Sequence, residues 1–279
     1  MIKKQVFNEV NILDNLQNHI NFLKKRKENF VLENSTYTAK IITETTIINF
    51  TSKNLSNKCF AGANFVKTDI LKSGIKKPNV NIQDLEYFAQ NLKMESIEKV
   101  VNFDITKAYP SILLADGFIT KKTFDYLCII NKTERLAAIG MLARKKNITT
   151  FENGKPILNV IDRKETSEYF FYLVEKTNKI INEIRQKCEL RFLFSWVDGI
   201  YFEFQNESSL FAAEKVVNEI CENYKLKFTT EILLNYISNF ENECFEIYFD
   251  KGDKIKRFTI PSNEMRINYL TYKKLNAIA

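Results

Sequence analysis

Between Arg191 and Phe204 two aromatic-rich runs meet at Asp198-Gly199, a dipeptide favoured in tight hairpin turns. That juncture predicts an antiparallel strand pair with Phe194, Trp196, Ile200 and Phe202 flanking its tip. A β-branched run, Lys99 to Ile105, predicts another strand and leads into Thr106-Lys107-Ala108-Tyr109-Pro110-Ser111, where proline favours a first helical turn. Both strand signals carry an acid at one end, Asp104 and Asp198. A charge closing an apolar strand is costly unless it is exposed or bound to a cation. If the two strands lie centrally in one sheet, the two carboxylates converge although they are far apart in the chain. The plain alternative is that Asp104 is a solvated strand end and Asp198 an ordinary turn residue.

The remaining patterns place these strands in a larger frame. Residues 8 to 29 read as an amphipathic helix, with Val10, Leu13, Leu16, Ile20 and Leu23 at spacings of three and four. Thr36 to Thr51 reads as one or two strands, and the basic connection Lys72 to Pro78 is the best candidate boundary. A basic helical stretch spans 132 to 146, and Ile157 to Ile161 reads as a strand. Ser167 opens a long helix with Phe170, Val174, Thr177, Ile181, Ile184 and Cys188 on one face. Ser208 is expected to cap a further helix, with Ala213, Val216, Val217, Ile220 and Tyr224 on one side. Strands are then expected at Lys227 to Leu234 and Cys244 to Asp250, with Lys256 to Ile260 extended after them. This order predicts an α+β fold, an antiparallel sheet covered on one face by helices.

Composition narrows the function classes. With 45% apolar residues among 279, the chain can bury a sizeable core. Its 41 Lys plus Arg against 34 Asp plus Glu give +7, which suits a polyanionic partner. The five cysteines form no CxxC pair, and His19 is the one histidine, so a zinc site lacks ligands. Unpaired, scattered thiols predict a reducing, cytoplasmic setting. No apolar run is long enough to span a bilayer, and Met1-Ile2-Lys3-Lys4 leads into polar sequence, so no membrane association is expected.

Four segments, in order, resemble the motifs of family B DNA polymerases. Phe103-Asp104-Ile105-Thr106-Lys107-Ala108-Tyr109-Pro110-Ser111-Ile112 is similar to motif A, with Ala108 for the usual Leu and Lys107 for Ser. Ser195-Trp196-Val197-Asp198-Gly199-Ile200-Tyr201 is similar to motif C; Trp196 replaces its first Asp and Gly199 its Ser. Lys132 to Leu142 resembles motif B, matching at Lys132 and Gly140, while Leu136, Ala137 and Ile139 stand where Asn, Ser and Tyr are usual. Lys254-Ile255-Lys256-Arg257-Phe258 resembles the Lys-Lys-Arg-Tyr segment that closes the palm. Taken without the resemblance, the basic helix is a solvated face and the basic strand an edge protected against aggregation.

The resemblance implies a compact, virus- or mobile-element-like palm over residues 97 to 260. It carries a short fingers insertion at about 115 to 150, an N-terminal region 1 to 96 of unknown role and a tail 261 to 279. A thumb is largely absent, and no acidic exonuclease motif is visible, so proofreading is not expected. Asp104, Asp198 and the main chain of Ile105 would hold two Mg²⁺ ions, with Mn²⁺ as a substitute, for catalysis by the two carboxylates. Thr106, Lys107, Ala108, Tyr109, Lys132 and Arg135 would bind the dNTP, Tyr109 excluding a 2′-hydroxyl. Gly199, Lys254, Lys256 and Arg257 would bind primer–template DNA. A partner chain would supply thumb, clamp or exonuclease functions. Two other tasks suit the same residues: a primase-like or nontemplated nucleotidyltransferase, and an inactive palm serving as a nucleic-acid-binding scaffold.

Overall fold

The computed structural model of the chain describes residues 3–9, 12–35, 38–52, 56–80, 86–163, 165–241, 244–251, 254–261 and 266–268. The first elements are β1 (Lys3–Glu9), α1 (Ile12–Lys25), β2 (Phe30–Asn34), β3 (Thr38–Ile42), β4 (Thr46–Ser52) and α2 (Asn57–Lys72). Next come β5 (Glu86–Gln90), β6 (Glu95–Ile105), α3 (Ala108–Ala115), α4 (Lys121–Ile129), α5 (Lys132–Gly140), β7 (Lys145–Glu152) and β8 (Lys155–Arg163). The last are α6 (Ser167–Lys187), β9 (Arg191–Trp196), β10 (Gly199–Glu203), α7 (Glu207–Asn223), β11 (Phe228–Glu241), β12 (Cys244–Lys251), β13 (Lys254–Pro261) and β14 (Arg266–Asn268). The fold is α+β with largely antiparallel sheets; β1 and β4 are a parallel pair.

Two compact units share these elements, 1–75 with 119–170 and 76–118 with 171–279. In the first, six strands run in the order β1-β4-β3-β2-β7-β8. Leu16, Ile20 and Leu23 form the apolar stripe of α1 and are buried with Phe30, Ala39, Ile41, Ile48, Phe50 and Phe151. Phe30 and Phe151, cross-strand partners on β2 and β7, stack with centroids 4.2 Å apart. Helices α2, α4 and α5 gather where Gly62 lets backbones approach: a β-carbon there would stand 3.3 Å from Ala138 Cβ. Asn131 and Glu134 form a capping box on α5, and the Ser56 hydroxyl, which caps α2, donates to Glu134.

In the second unit eight strands run β13-β12-β11-β6-β10-β9-β5-β14, every pair antiparallel. Val100, Val101, Asn102 and Phe103 are consecutive and all buried, as a central strand covered on both faces requires. One face carries Phe103, Phe202 and Phe192, with Arg185 of α6 lying over the Phe192 ring. The other carries Val100, Phe194, Tyr201 and Leu233, buried with Ile247, Phe249 and Ile260 of the last strands. Phe258 of β13 touches Trp196 and Phe194 of β9 at ring separations of 5.2 and 5.5 Å, although four strands separate β13 from β9. The sheet therefore coils over this face. A register shift between Leu234 and Ile237, with Asn235 at φ 51°, marks a bulge in β11, a feature that increases local twist.

Several expectations change. The helix expected over 8–29 is α1, beginning at Ile12 because β1 precedes it; Val10 lies outside the described residues. The basic stretch 132–146 is helical only to Gly140, with a short 3₁₀ turn at Met141–Ala143, and Lys145 starts β7, pairing with β2. Asn206, not Ser208, caps α7, accepting from the Ser209 amide at 2.9 Å. Strand β11 continues to Glu241, past the expected end at Leu234. The boundary at 72–78 coincides with the division between the units. The expected division at 97 does not: β5 is a strand of the second unit's sheet, and the segment that interrupts this unit is 119–170, which groups with 1–75. Strand pairing of β7 with β2 is what draws that segment away. Of the expected tail, 262–265 and 269–279 lie outside the described residues. Among the described residues no helix is long and apolar enough to cross a membrane.

Candidate active site

Strand register collects the polar residues of the second unit's sheet. Asp104 of β6 faces Gly199 of β10 on one side and Thr229 of β11 on the other. Two residues along, Asn102 faces Tyr201 and Glu231 in the same way. Because strand side chains alternate with period two, these six lie on one face, the face that also buries Val100 and Leu233.

Asp198 joins them from the turn between β9 and β10. The two turn residues are Val197 and Asp198, so Gly199 is the first residue of β10 and not part of the tip. Val197 adopts φ 58°, a left-handed conformation unfavourable for a β-branched side chain. The turn is pinned to β6 by the Ile105 amide, which donates to the Asp198 carbonyl at 2.9 Å. The end of β6 is held from the other side as well, the Thr106 amide donating to the Lys227 carbonyl at 2.8 Å.

Three carboxylates lie near Tyr201. Burial raises the pKa of its phenol, and the negative charges of Asp104, Glu231 and Asp198 raise it further, in that order. Three acids therefore act on one hydroxyl. Lys256 Nζ donates to that hydroxyl at 2.8 Å and to Glu231 at 3.4 Å, and lies over the Tyr201 ring. The lysine supplies positive charge where the acids gather.

The missing side chain of Gly199 lets polar atoms approach its backbone closely. A β-carbon there would stand 3.0 Å from Asn102 Oδ1 and 3.4 Å from Asp104 Oδ1. Among the described residues, Asn102 Oδ1 is buried and accepts no hydrogen bond, while its amide nitrogen donates to Glu231 at 3.4 Å. Oxygen atoms from Asp104 and Asn102 thus border one cradle beside Asp198. This all-oxygen donor set fits a hard cation such as Mg²⁺, which keeps part of its shell for water and phosphate. Among the described residues no group of three His, Cys, Asp or Glu side chains is arranged to hold a metal, and Glu231 is tied to Lys256.

The other expected site residues separate into two sets. Thr106 and Lys107 form the turn from β6 into α3; Lys107 sits at the N-cap with φ 50°, and no side chain caps the helix. Ala108 and Tyr109 are buried in its first turn, and Ser111 Oγ donates to the Thr106 carbonyl at 2.9 Å. Lys132 and Arg135 belong to the first unit, Asp104 and Asp198 to the second. Lys132 is exposed, whereas Arg135 Nη1 donates to the carbonyls of Leu127 and Ile130 at 3.4 and 3.3 Å, closing the end of α4. Arg257 is exposed and pairs with Glu246 through Nε at 2.8 Å. Lys254 starts β13, its side chain outside the described set. Sequence reasoning missed Asn102, Glu231 and Tyr201. The available signal was a lone carboxylate, Glu231, beside an apolar run in β11.

No protein-family model matches the sequence, and no curated protein matches it. Among solved structures, the RNA-dependent RNA polymerase of BmCPV, seen in situ at its elongation state, is similar with a TM-score of 0.23 and 10% identity. The match covers 96% of this chain and 26% of the polymerase, so the chain spans about a quarter of that protein's length. A likeness at that level carries no argument about fold or activity.

Proposed function

We propose that the second unit is a polymerase-palm nucleotidyltransferase that adds deoxynucleotides to a primer 3′ end, with Asp104 and Asp198 as its metal-holding carboxylates. The observation that carries this reading is that Asp104 on β6 and Asp198 in the turn pinned to the end of β6 both lie near the Tyr201 hydroxyl. Asp104, Asp198 and Asn102 Oδ1 would hold Mg²⁺. Bound there, the ions supply charge neutralisation for the attacking and leaving oxygens of the transfer. Gly199 leaves room for the Asn102 and Asp104 oxygens, and Lys256 donates to Tyr201 and Glu231 beside them. By the resemblance, Tyr109, buried in the first turn of α3, would lie beneath the sugar and select against a 2′-hydroxyl. Arg257, exposed on β13, suits a sequence-independent phosphate contact.

One observation favours a second reading. Trp196, standing where the resemblance expects an acid, is packed against Phe258 at 5.2 Å as part of the apolar cluster. An inactive palm that binds nucleic acid as a scaffold would tolerate that replacement. Mg²⁺-dependent primer extension separates the two readings. Asp104→Asn and Asp198→Asn should each reduce incorporation by about 10³-fold, with melting behaviour retained. Unchanged incorporation would remove both acids from the reaction. Parallel arms with rNTPs, and without template, distinguish the primase-like and nontemplated alternatives.

A further inference from the structure

The first unit carries a second polar site, on the sheet face opposite α1. There Glu33, Lys40 and Asn49 are cross-strand neighbours on β2, β3 and β4, and Lys146 follows from β7. With Arg144 and Ser35 they line a pocket of about 290 Å³. Its chemistry is one-sided. Three cations face a single carboxylate, and Glu33 already accepts from Lys146 at 3.2 Å. Lys40 makes no ion pair among the described residues, and Asn49 Nδ2 is a buried donor without an acceptor.

Arg144 is the best-oriented of these cations. Its Nε and one Nη donate to Ser35 Oγ, the former at 2.9 Å, and Ser35 Oγ passes the bond to the Thr38 carbonyl at 2.9 Å. The guanidinium is thereby fixed while its remaining donors stay available. Burial disfavours its charge, with only Glu33 offsetting that, so an incoming anion would relieve the deficit. An orphaned amide donor, a fixed guanidinium and two lysines in one concavity match an oxyanion bearing two charges and several acceptor oxygens.

We propose that this pocket binds a phosphate group, either the terminal phosphate of a free nucleotide or a backbone phosphate of a nucleic-acid strand. It belongs wholly to the first unit and is independent of the palm reading. A carboxylate ligand is a poorer fit because it offers fewer acceptor oxygens to the donor set and only one charge to balance an excess of two.

The test uses the full chain carrying Asp104→Asn and Asp198→Asn, without divalent cations, so that the palm contributes little. Binding of dAMP and of inorganic phosphate is measured by calorimetry, and binding of a fluorescent 12-nucleotide single strand by anisotropy. Asn49→Asp, nearly isosteric, puts a carboxylate in place of the orphan donor. Lys40→Glu reverses a charge on a partly exposed side chain. Lys155→Glu, an exposed position on β8 away from the pocket, controls for net charge. Either pocket variant should weaken one ligand by about tenfold or more beyond the control. Loss for dAMP and phosphate assigns a terminal-phosphate site, and loss for the strand alone assigns a backbone-phosphate site. If every ligand stays within about twofold of the control, with native circular dichroism, the proposal is overturned. Arg144→Lys, which keeps the charge and loses the fork, gives a second reading should Asn49→Asp fail to fold.

Discussion

Gly199 stands directly across from Asp104, and a β-carbon at position 199 would lie 3.4 Å from the Asp104 carboxylate and 3.0 Å from Asn102 Oδ1. Gly199→Ala should therefore displace Asn102 Oδ1 by a few tenths of an ångström and bring a methyl group into contact with Asp104 Oδ1. Overpacking of this kind costs about 1–3 kcal/mol, so the melting temperature should fall by a few degrees. Primer extension should fall by about tenfold or more. A variant that melts lower yet extends primers normally would show that the cradle is not the reacting site.

Val197 occupies the first position of its two-residue turn with φ 58°, where glycine is the usual choice. Val197→Gly should relieve roughly 1 kcal/mol of local strain and raise the denaturation midpoint. Looser holding of Asp198 should lower incorporation at the same time. A midpoint that is unchanged or lower would show that the turn stores no strain.

Lys256 compensates a cluster of acids, donating to Tyr201 and Glu231. Lys256→Met should destabilise the unit by about 1 kcal/mol, a modest figure because the side chain is partly exposed. Mg²⁺ should then raise the melting temperature more in the variant than in the unaltered chain, since the cation replaces lost positive charge. Equal Mg²⁺ responses in calorimetric scans would disprove the compensation.

Burial pushes the Cys188 thiol up to about 12 and the Cys221 thiol to about 11, from an ordinary value of 9.0. Unfolded thiols begin to ionise near that ordinary value while the folded ones keep their protons. Above pH 9 the unfolded chain therefore binds fewer protons, and stability should fall as pH rises towards about 11 to 12. Well below pH 9, where the unfolded thiols are also protonated, these two groups should contribute no pH dependence. Denaturant titrations across pH 8 to about 10.5 should show a shallower decline for Cys188→Ala and Cys221→Ala. Identical slopes would mean the thiols ionise alike in both states.

Local pattern was legible where one face of an element does one job. The stripe Phe170, Val174, Thr177, Ile181, Ile184 and Cys188 is buried throughout, even at Thr177, because helical periodicity alone aims it at a core. The strand that carries Asp104 near its end and the strand that begins just after Asp198 were likewise readable from their apolar, aromatic runs. Helix α2 was not. Its sequence mixes lysine and asparagine with Gly62, and its buried side rests on Ala138 and Leu127, which lie far along the chain.

The sequence by itself determined the apolar stripes of α1, α6 and α7 and the strands in or beside which Asp104 and Asp198 stand. Only the tertiary structure decided that β11 lies beside β6, bringing Glu231 opposite Asn102, and that the sheet coils until Lys256 reaches Tyr201. It also decided that 119–170 joins 1–75, through pairing of β7 with β2. Periodicity is a property of neighbours along the chain and states which face of a strand is buried. The choice of partner strand and its register depends on how distant side chains pack together, which no local window contains.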